Sequence, residues 1–119
     1  MAFQQDNEIA STCKAKFQRV SARKARQLAD LVRGKSVPEA MNLLTFTHRP
    51  SAQTIMMNVL KSAIANAKAD YPDPAMLAIG EIKVDDGPIM YRMQPMSRGR
   101  AGRIRKRFCH ITLHLVGTK

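Results

Sequence analysis

Residues 88–107 read PIMYRMQPMSRGRAGRIRKR, a stretch with seven basic residues and no acidic residue. The basic residues are Arg92, Arg98, Arg100, Arg103, Arg105, Lys106 and Arg107. Like charges at this density repel one another, which favours a polyanion as the binding partner. Because six of the seven are arginines, whose guanidinium group matches the oxygens of phosphate, the stretch predicts contact with a phosphate backbone.

Pro95 and Gly99 near the middle of this stretch indicate a turn, so we predict two strands that meet at a tip near residues 96–100. Ten residues of strand span roughly 30 Å, about the width of a compact body of this length. The hairpin must therefore project as an arm at about residues 88–107. A two-stranded ribbon is marginally stable by itself, so we expect the tip to be mobile in the free protein and ordered on its partner.

The charge of the whole chain is concentrated in this arm. The formal net charge is +11, which favours a nucleic acid or another anionic surface as partner. Up to Asp86 there are 12 basic and 9 acidic residues, whereas from Gly87 onward there are 8 basic and none acidic. The body before the arm is thus an ordinary globular sequence.

Two segments that flank the body alternate apolar and polar residues, as half-buried strands do. In Thr12–Arg19 the residues Cys13, Ala15 and Phe17 share one face. After the arm, residues 109–115 alternate in the same way. We therefore predict a strand at each end of the domain, with Phe17 directed inward.

A further strand is predicted at Met76–Asp85. Its inward positions change phase between Ile79 and Ile82, and Gly80 lies at the change. An isolated glycine inside a strand is typical of a β-bulge. This strand would run antiparallel to residues 109–115 if the arm is a hairpin.

Three helices are predicted between the first and second strands. Ser21 caps the first helix, and Gly34 ends it. Residues 36–39, Ser-Val-Pro-Glu, indicate a capping box at the start of a short second helix. Apolar residues recur at helical spacing throughout Ser51–Ala69, which predicts the central helix of the core.

This order of elements predicts an α+β fold, with three helices packed on one face of a three-stranded antiparallel sheet and a long protruding β-hairpin arm. We interpret residues 1–11 as a flexible tail and residues 12–119 as a single globular domain that includes the arm.

Arg23, Arg26 and Arg33 fall on the polar side of the first predicted helix, within about a quarter turn of each other. A solvated helix face is the usual explanation of such a pattern. Because a basic arm is present in the same chain, phosphate contact is an equally good one.

Catalytic and metal-binding motifs are not recognisable in the sequence. Asp85 and Asp86 precede Gly-Pro and fit a turn better than acid–base chemistry. His110 and His114 would share a sheet face without a third ligand nearby, which makes a metal site a weak hypothesis. Cys13 and Cys109 form no Cys-x-x-Cys pair, and no secretory or long apolar segment occurs, so a reducing, cytoplasmic setting without cofactor is expected.

Small and flexible residues in the arm refine the prediction of its partner. Its glycines allow close backbone approach, and its methionines provide adaptable apolar contacts. Aromatic residues that could stack on bases are nearly missing, since Tyr91 is the only candidate in the arm. This favours recognition of folded RNA by its shape and backbone over the reading of single-stranded sequence.

Taken in order, several stretches resemble bacterial large-subunit ribosomal protein 22 along nearly the full length from about Lys14. They are RKAR at 23–26, ADLVRGK at 29–35, KSAIANA at 61–67, VDDGP at 84–88, RGRA at 98–101, RIRKR at 103–107 and HIT at 110–112. The resemblance implies a structural constituent of the large ribosomal subunit that binds 23S-type rRNA during assembly. It also implies a body near the mouth of the polypeptide exit tunnel and an arm that lines the tunnel wall.

The resemblance further implies the roles of individual residues. The expected rRNA-binding residues are Arg23, Lys24, Arg26, Arg33, Lys35, Arg92, Arg98, Arg100, Arg103, Arg105, Lys106 and Arg107. The expected tunnel-lining residues are Met90, Tyr91, Met93, Gln94, Pro95, Met96 and Ser97. The implied partners are large-subunit rRNA, ribosomal protein 4 and other neighbouring ribosomal proteins, and the nascent polypeptide. The protein would be monomeric within the particle and would not bind a membrane.

A different class of protein, an architectural DNA-binding protein with basic β-arms, remains an alternative. Its support is Pro95 at the tip, because prolines on such arms wedge between base steps. Against it, these proteins usually form dimers, whereas the apolar face of Ser51–Ala69 is fully used by the predicted sheet. A small enzyme is a third possibility that no motif supports.

Overall fold

The computed structural model describes residues 9–117, which form three α-helices and three β-strands. The elements are β1 (Ile9–Gln18), α1 (Ala22–Val32), α2 (Val37–Phe46), α3 (Pro50–Ala67), β2 (Leu77–Pro95) and β3 (Ala101–Gly117), with 3₁₀ turns at Pro74–Met76 and Ser97–Gly99. The predicted α+β class is confirmed, with all three helices between the first two strands.

The strands form one antiparallel sheet in the order β1-β3-β2, so the last strand of the chain is the central one. The predicted alternation in β3 is confirmed, since Cys109, Ile111, Leu113 and Leu115 are at most 1% exposed. α3 packs on β1 and β3, and α1 packs on β2. The core therefore lies between the helices and this face of the sheet. No helix of residues 9–117 packs on the opposite face, which we call the open side.

Gly80 forms the predicted β-bulge in β2. Pairing passes from Ile79 with Leu115 to Glu81 with His114, which leaves Gly80 without a partner. A Cβ atom at Gly80 would lie 2.6 Å from a Val116 methyl carbon, so the close approach requires glycine.

The prediction that Phe17 is directed inward is wrong. Its neighbours Cys13 and Ala15 pack against the core, but the register of β1 against β3 shifts between Ala15 and Gln18. Within this shift Phe17 adopts a φ of 58° and is 61% exposed. The bulge thus turns an aromatic side chain from the core side to the open side of the sheet.

The start of β1 also differs from the prediction. The strand begins at Ile9, three residues before Thr12, so residues 9–11 of the predicted tail belong to the sheet. The rest of that predicted tail, residues 1–8, lies outside the described residues.

The ends of α1 agree with the prediction, whereas the start of α2 does not. The Ser21 hydroxyl accepts a hydrogen bond from the Lys24 amide at the start of α1, and Gly34 follows the helix with a φ of 78°. Ser36 is at the N-cap of α2 but makes no side-chain cap bond. The backbone of Ser36 instead forms an antiparallel β-bridge with Ala78. The segment before α2 therefore pairs with the edge of β2, and the predicted capping box does not form.

α3 is the core helix that its periodicity predicts, although it spans Pro50–Ala67 and not Ser51–Ala69. Its buried residues are Ala52, Met56, Val59, Leu60, Ala63 and Ala67. Two hydrogen bonds join it to β1: the Ser11 hydroxyl of β1 donates to the Ala63 carbonyl of α3, and the Asn66 side-chain amide of α3 donates to the Thr12 carbonyl of β1.

The molecule is elongated by the arm. Its principal extents are 64 × 25 × 23 Å and its radius of gyration is 17.0 Å, whereas a compact domain of this length would have about 13 Å. The outer parts of β2 and β3 form a two-stranded ribbon that leaves the body, as predicted.

Candidate nucleic-acid interface

The arm is a regular hairpin closed by a short 3₁₀ turn. Seven residue pairs, from Ile89 with Arg107 to Pro95 with Ala101, follow one another without a register shift. At the tip, Arg98 and Gly99 have φ angles of 63° and 72°, which confirms the predicted turn. A Cβ on Gly87, at the base of the arm, would lie 3.0 Å from backbone atoms of Phe108. The arm thus begins where two backbones are in close contact.

Directly paired residues of an antiparallel ribbon point to the same face, so the pairing divides the arm into two faces. The arginine face consists of Ile89, Tyr91, Met93, Pro95, Ala101, Arg103, Arg105 and Arg107. The mixed face consists of Met90, Arg92, Gln94, Gly102, Ile104 and Lys106. The basic residues of β3 and the methionines of β2 therefore lie on both faces, and the charge of the arm differs by face as well as by strand.

The acidic residues in the described part of the chain do not neutralise the cations of the arm. Within residues 9–117, none of the four ion pairs involves a residue from 88 to 107. Arg103 lies over the ring of Tyr91, and Arg92 donates to the carbonyl oxygen of Tyr91. Both contacts leave the positive charge in place, so the arm presents a strong positive potential.

The tip combines exposed cations with a methionine folded against the ribbon. Arg98 and Arg100 are exposed. The side chain of Met96 lies over Gly102, where a Cβ atom would come within 2.6 Å of its sulfur. Met96 nevertheless remains 60% exposed, and the predicted tip residues Gln94, Pro95 and Ser97 are exposed as well.

Arg26 and Arg33 on α1 contact the outer edge of β2. The Nε and one terminal nitrogen of Arg26 donate to the Val84 carbonyl at 3.2 and 3.1 Å. Arg33 donates to the Ile82 carbonyl at 2.9 Å and to Asp30 at 2.6 Å. These two arginines therefore satisfy carbonyls of an edge strand, a role that the sequence did not suggest. Their contact with RNA stays a prediction.

A basic cleft lies where the arm leaves the body. It has a volume of about 290 Å³ and is lined by Arg19, Val20, Ser21, Lys24, Ser51, Arg105, Lys106 and Arg107. Lys24 and Ser51 also line a second cleft of about 630 Å³, together with Arg23, Gln27, His48, Arg49, Pro50 and Ala52. The arm base, α1 and the N-terminus of α3 thus form one continuous basic surface.

Arg19 and Arg49 are the cations of this surface that sequence reasoning missed. Each lies in a turn just before a helix, where no periodic pattern marks it. The positive end of a helix dipole attracts an anion and not a cation, so a basic residue just before a helix, beside the free amides of its first turn, is the signal of an anion-binding site that could have found them. Of the other predicted body cations, Arg23, Lys24 and Lys35 are exposed.

A family model described as ribosomal protein L22p/L17e matches residues 13–116, which include both clefts and the whole arm. The chain belongs to the L22p/L17e family of ribosomal proteins. It is 51% identical to large ribosomal subunit protein uL22 of Rubrobacter xylanophilus over 102 residues, or 85% of this chain and 80% of that protein. It is 51% identical to uL22 of Leptospira biflexa over 82% of this chain and 85% of the relative, and 44% identical to uL22 of Desulfitobacterium hafniense over 88% and 92%.

Membership of the L22p/L17e family confirms the resemblance that the sequence motifs indicate. The chain is a structural constituent of the large ribosomal subunit and not an enzyme, and its partners are rRNA and other ribosomal proteins. The family also decides against the architectural DNA-binding protein that was the alternative.

His110 and His114 of β3 each form a hydrogen bond through Nδ1. His110 Nδ1 accepts the amide hydrogen of Phe17, and His114 Nδ1 lies 2.8 Å from Thr12 Oγ1. Within residues 9–117 there is no group of three or more His, Cys, Asp or Glu residues that could hold a metal ion. Cys13 and Cys109 are free thiols.

Among the helices of the described residues, none is both long and apolar enough to span a membrane.

Proposed function

We propose that the protein binds 23S-type rRNA through the arginine face of the arm and the basic cleft at its base, and that it organises this RNA during assembly of the large subunit. The observation that carries the proposal is the continuity of the two surfaces. Arg105 and Arg107 belong to the arginine face and also line the cleft. An RNA backbone bound in the cleft would therefore continue along the arm.

The chemistry of both surfaces fits folded RNA. Exposed arginines and a helix N-terminus bind phosphate oxygens without regard to base identity. Tyr91, the aromatic residue of the arginine face, is already covered by Arg103 at 4.2 Å. The arm therefore offers cations in place of a free stacking surface, as expected for recognition of RNA shape and backbone.

The salt dependence of RNA binding tests this proposal. Each phosphate contact contributes about 0.7 to 0.9 to the slope of log affinity against log salt concentration. We expect that replacing Arg103, Arg105 and Arg107 together by glutamine lowers the slope for a 23S rRNA fragment by about 2 to 3 units and impairs subunit assembly. The matched control is Lys61→Gln with Lys68→Gln, exposed cations on and just after α3. An unchanged slope in the triple variant, or duplex DNA displacing the rRNA fragment, would contradict the proposal.

We infer further that the body lies near the mouth of the exit tunnel and that the arm extends along the tunnel wall, opposite the extended loop of ribosomal protein 4. The length and narrowness of the arm support this inference, since the molecule measures 64 Å along the arm and 25 Å or less across it. The protein would act as a single copy in the particle.

Within the tunnel, the mixed face and the tip would meet the nascent polypeptide while the arginine face is turned to RNA. Tyr91 and Met93, which the resemblance assigns to the tunnel wall, pair with Arg105 and Arg103, so this proposal moves them to the RNA side. Met90, Gln94 and Met96 offer apolar or neutral polar contact, and Arg92 and Lys106 add only two charges to the mixed face. Photoreactive side chains at Gln94 on the mixed face and at Met93 on the arginine face separate the two surfaces. A stalled nascent chain should crosslink to position 94 and rRNA to position 93, and the reverse pattern would overturn this orientation.

A further inference from the structure

Phe17 has a backbone conformation that is unusual for its residue type. It is a bulky residue with a φ of 58°, a region that such side chains rarely adopt. It lies in a bulge that directs its ring away from the core, and it is 61% exposed. Backbone strain of this kind persists where the surrounding structure imposes it and is concentrated at functional sites.

His110 on β3 holds Phe17 in place. The amide nitrogen of Phe17 donates to His110 Nδ1 at 3.0 Å, so the imidazole carries its hydrogen on Nε2. The two rings meet edge to face, with centroids 4.9 Å apart and an interplanar angle of 88°. Together they form an L-shaped aromatic surface on the open side of the sheet.

The surroundings of this pair are concave and basic. The rings border a cleft of about 370 Å³ that is also lined by Lys14, Lys16, Asp85, Ile111 and Thr112. The helices do not cover this side of the sheet, because they pack on the opposite face. Two lysines against one carboxylate favour an anionic ligand, and an exposed ring beside them favours one with a flat apolar surface.

We propose that Phe17 and His110 form a stacking site for one unpaired RNA base, with Lys14 and Lys16 binding the phosphates on either side. The inference rests on the proposed function as an RNA-binding protein, but it concerns a different surface from the arm and its cleft. Aromatic rings on an open sheet flanked by cations are a common way to bind unpaired bases. Asp85 Oδ atoms can accept a hydrogen bond from an exocyclic amino group of the base.

The site predicts a result that phosphate binding alone would not give. Stacking contributes to affinity without releasing counterions, so removal of the ring should weaken binding at every salt concentration by the same factor. Removal of the lysines should instead lower the salt slope. The glutamine variants of Arg103, Arg105 and Arg107 change the salt slope through residues outside this cleft. Failure of the base-stacking proposal is therefore distinguishable from failure of the proposal that the arm binds rRNA.

The test measures binding of the full chain to a single-stranded nine-nucleotide oligo(A) RNA and to an RNA duplex of the same length. Phe17→Leu should weaken binding of the single strand roughly 5-fold to 150-fold with an unchanged salt slope, and should leave duplex binding within twofold. Phe17→Tyr should restore single-strand binding. The matched control is Phe46→Leu, because Phe46 is 86% exposed on α2 and outside the cleft.

Ultraviolet crosslinking of wild-type large subunits provides a second readout that does not depend on the folding of a variant. The peptide that contains Phe17 should carry a nucleotide. Equal binding by Phe17→Leu and Phe46→Leu, equal losses for single strand and duplex, or a crosslink to a neighbouring protein in place of RNA would overturn the proposal.

Discussion

The guanidinium carbon of Arg103 lies 4.2 Å from the centre of the Tyr91 ring, across the two strands of the arm. The two residues are diagonal neighbours on the arginine face, since Tyr91 pairs with Arg105 and Arg103 pairs with Met93. A guanidinium stacked on a ring keeps its charge and loses side-chain freedom before RNA binds. Tyr91 therefore orients a phosphate-binding group and need not contact RNA itself.

This arrangement predicts that removal of the Tyr91 ring lowers the affinity for RNA without changing the charge of the arm. Ordering a long side chain on binding costs about 0.5 to 1.5 kcal/mol. Because the Tyr91 ring already orders Arg103 in the free protein, part of this cost does not arise when RNA binds. We expect Tyr91→Leu to weaken binding of an rRNA fragment about 2-fold to 10-fold without a change in salt slope. Tyr91→Phe keeps the ring and should bind like the wild type. If Tyr91→Phe is as weak as Tyr91→Leu, the hydroxyl and not the stacked ring is responsible.

Arg26 should contribute to stability more than its position on a polar helix face indicates. Two of its nitrogens donate to the Val84 carbonyl, which a lysine cannot reproduce with the same geometry. Since the side chain is half exposed, we expect Arg26→Lys to lower the free energy of unfolding by about 1 kcal/mol. Urea denaturation measures this, with Arg23→Lys on the same helix as the control. Equal stability of the two variants would show that the Val84 contact is not important for the fold.

Two glycines of the arm should differ in their response to the same substitution. A Cβ at Gly87 would meet the carbonyl group of Phe108 at 3.0 Å, whereas a Cβ at Gly102 would meet the flexible Met96 side chain. We expect Gly87→Ala to lower the free energy of unfolding by about 1 to 3 kcal/mol, because backbone must move. Gly102→Ala should lower it by less than about 1 kcal/mol, because methionine can adapt. Similar losses in thermal denaturation would contradict this difference.

Strong periodic patterns made the core and the hairpin predictable from the sequence. Cys109 to Leu115 alternate without exception, and the phase change at Gly80 indicates its bulge. The prediction for Phe17 is wrong because this residue continues the alternation of Cys13 and Ala15. A bulge cannot be recognised from the alternating pattern when the residue inside it is apolar.

The contacts of the candidate site were less predictable than the fold. Helical periodicity indicates that Arg26 lies on a polar face, but it does not identify the Val84 carbonyl opposite that face. The cleft at the arm base joins Arg19, Ser51 and Arg107, which are far apart in the sequence. Only the packing of α1 and α3 against the sheet brings them together.

Cys109 should react slowly with thiol reagents while the protein is folded. It is fully buried, and burial raises the pKa of its thiol, an effect that Arg26 partly offsets and Asp86 adds to. Because thiolate is the reactive form, we expect iodoacetamide at pH 8 to modify the half-buried Cys13 first and Cys109 only after unfolding. The raised pKa also means that Cys109 favours the folded state less as the pH rises above about 8.5. Equal modification rates in the native protein would contradict the burial of Cys109.

The arm should be mobile in the free protein and ordered on RNA. Its two strands lack a third strand from about residue 89 outward, and the like charges of the arginine face repel one another. We expect the amides of residues 93–102 to exchange rapidly with solvent in the isolated chain, whereas those of 109–115 are protected. Addition of an rRNA fragment should slow exchange in the arm. Strong protection of residues 93–102 without RNA would contradict this expectation.

β2 and β3 run without a break from the sheet of the body to the tip of the arm, so one strand register governs both. A slip of one residue in the body would move the buried side chains of β3 to the open side and would exchange the two faces of the arm. The bulge at Gly80 and the second register shift between Asp86 and Ile89 oppose such a slip, because bulges pin a strand register. The hydrophobic core thereby determines which side of the arm meets phosphate, at a distance on the order of 25 Å.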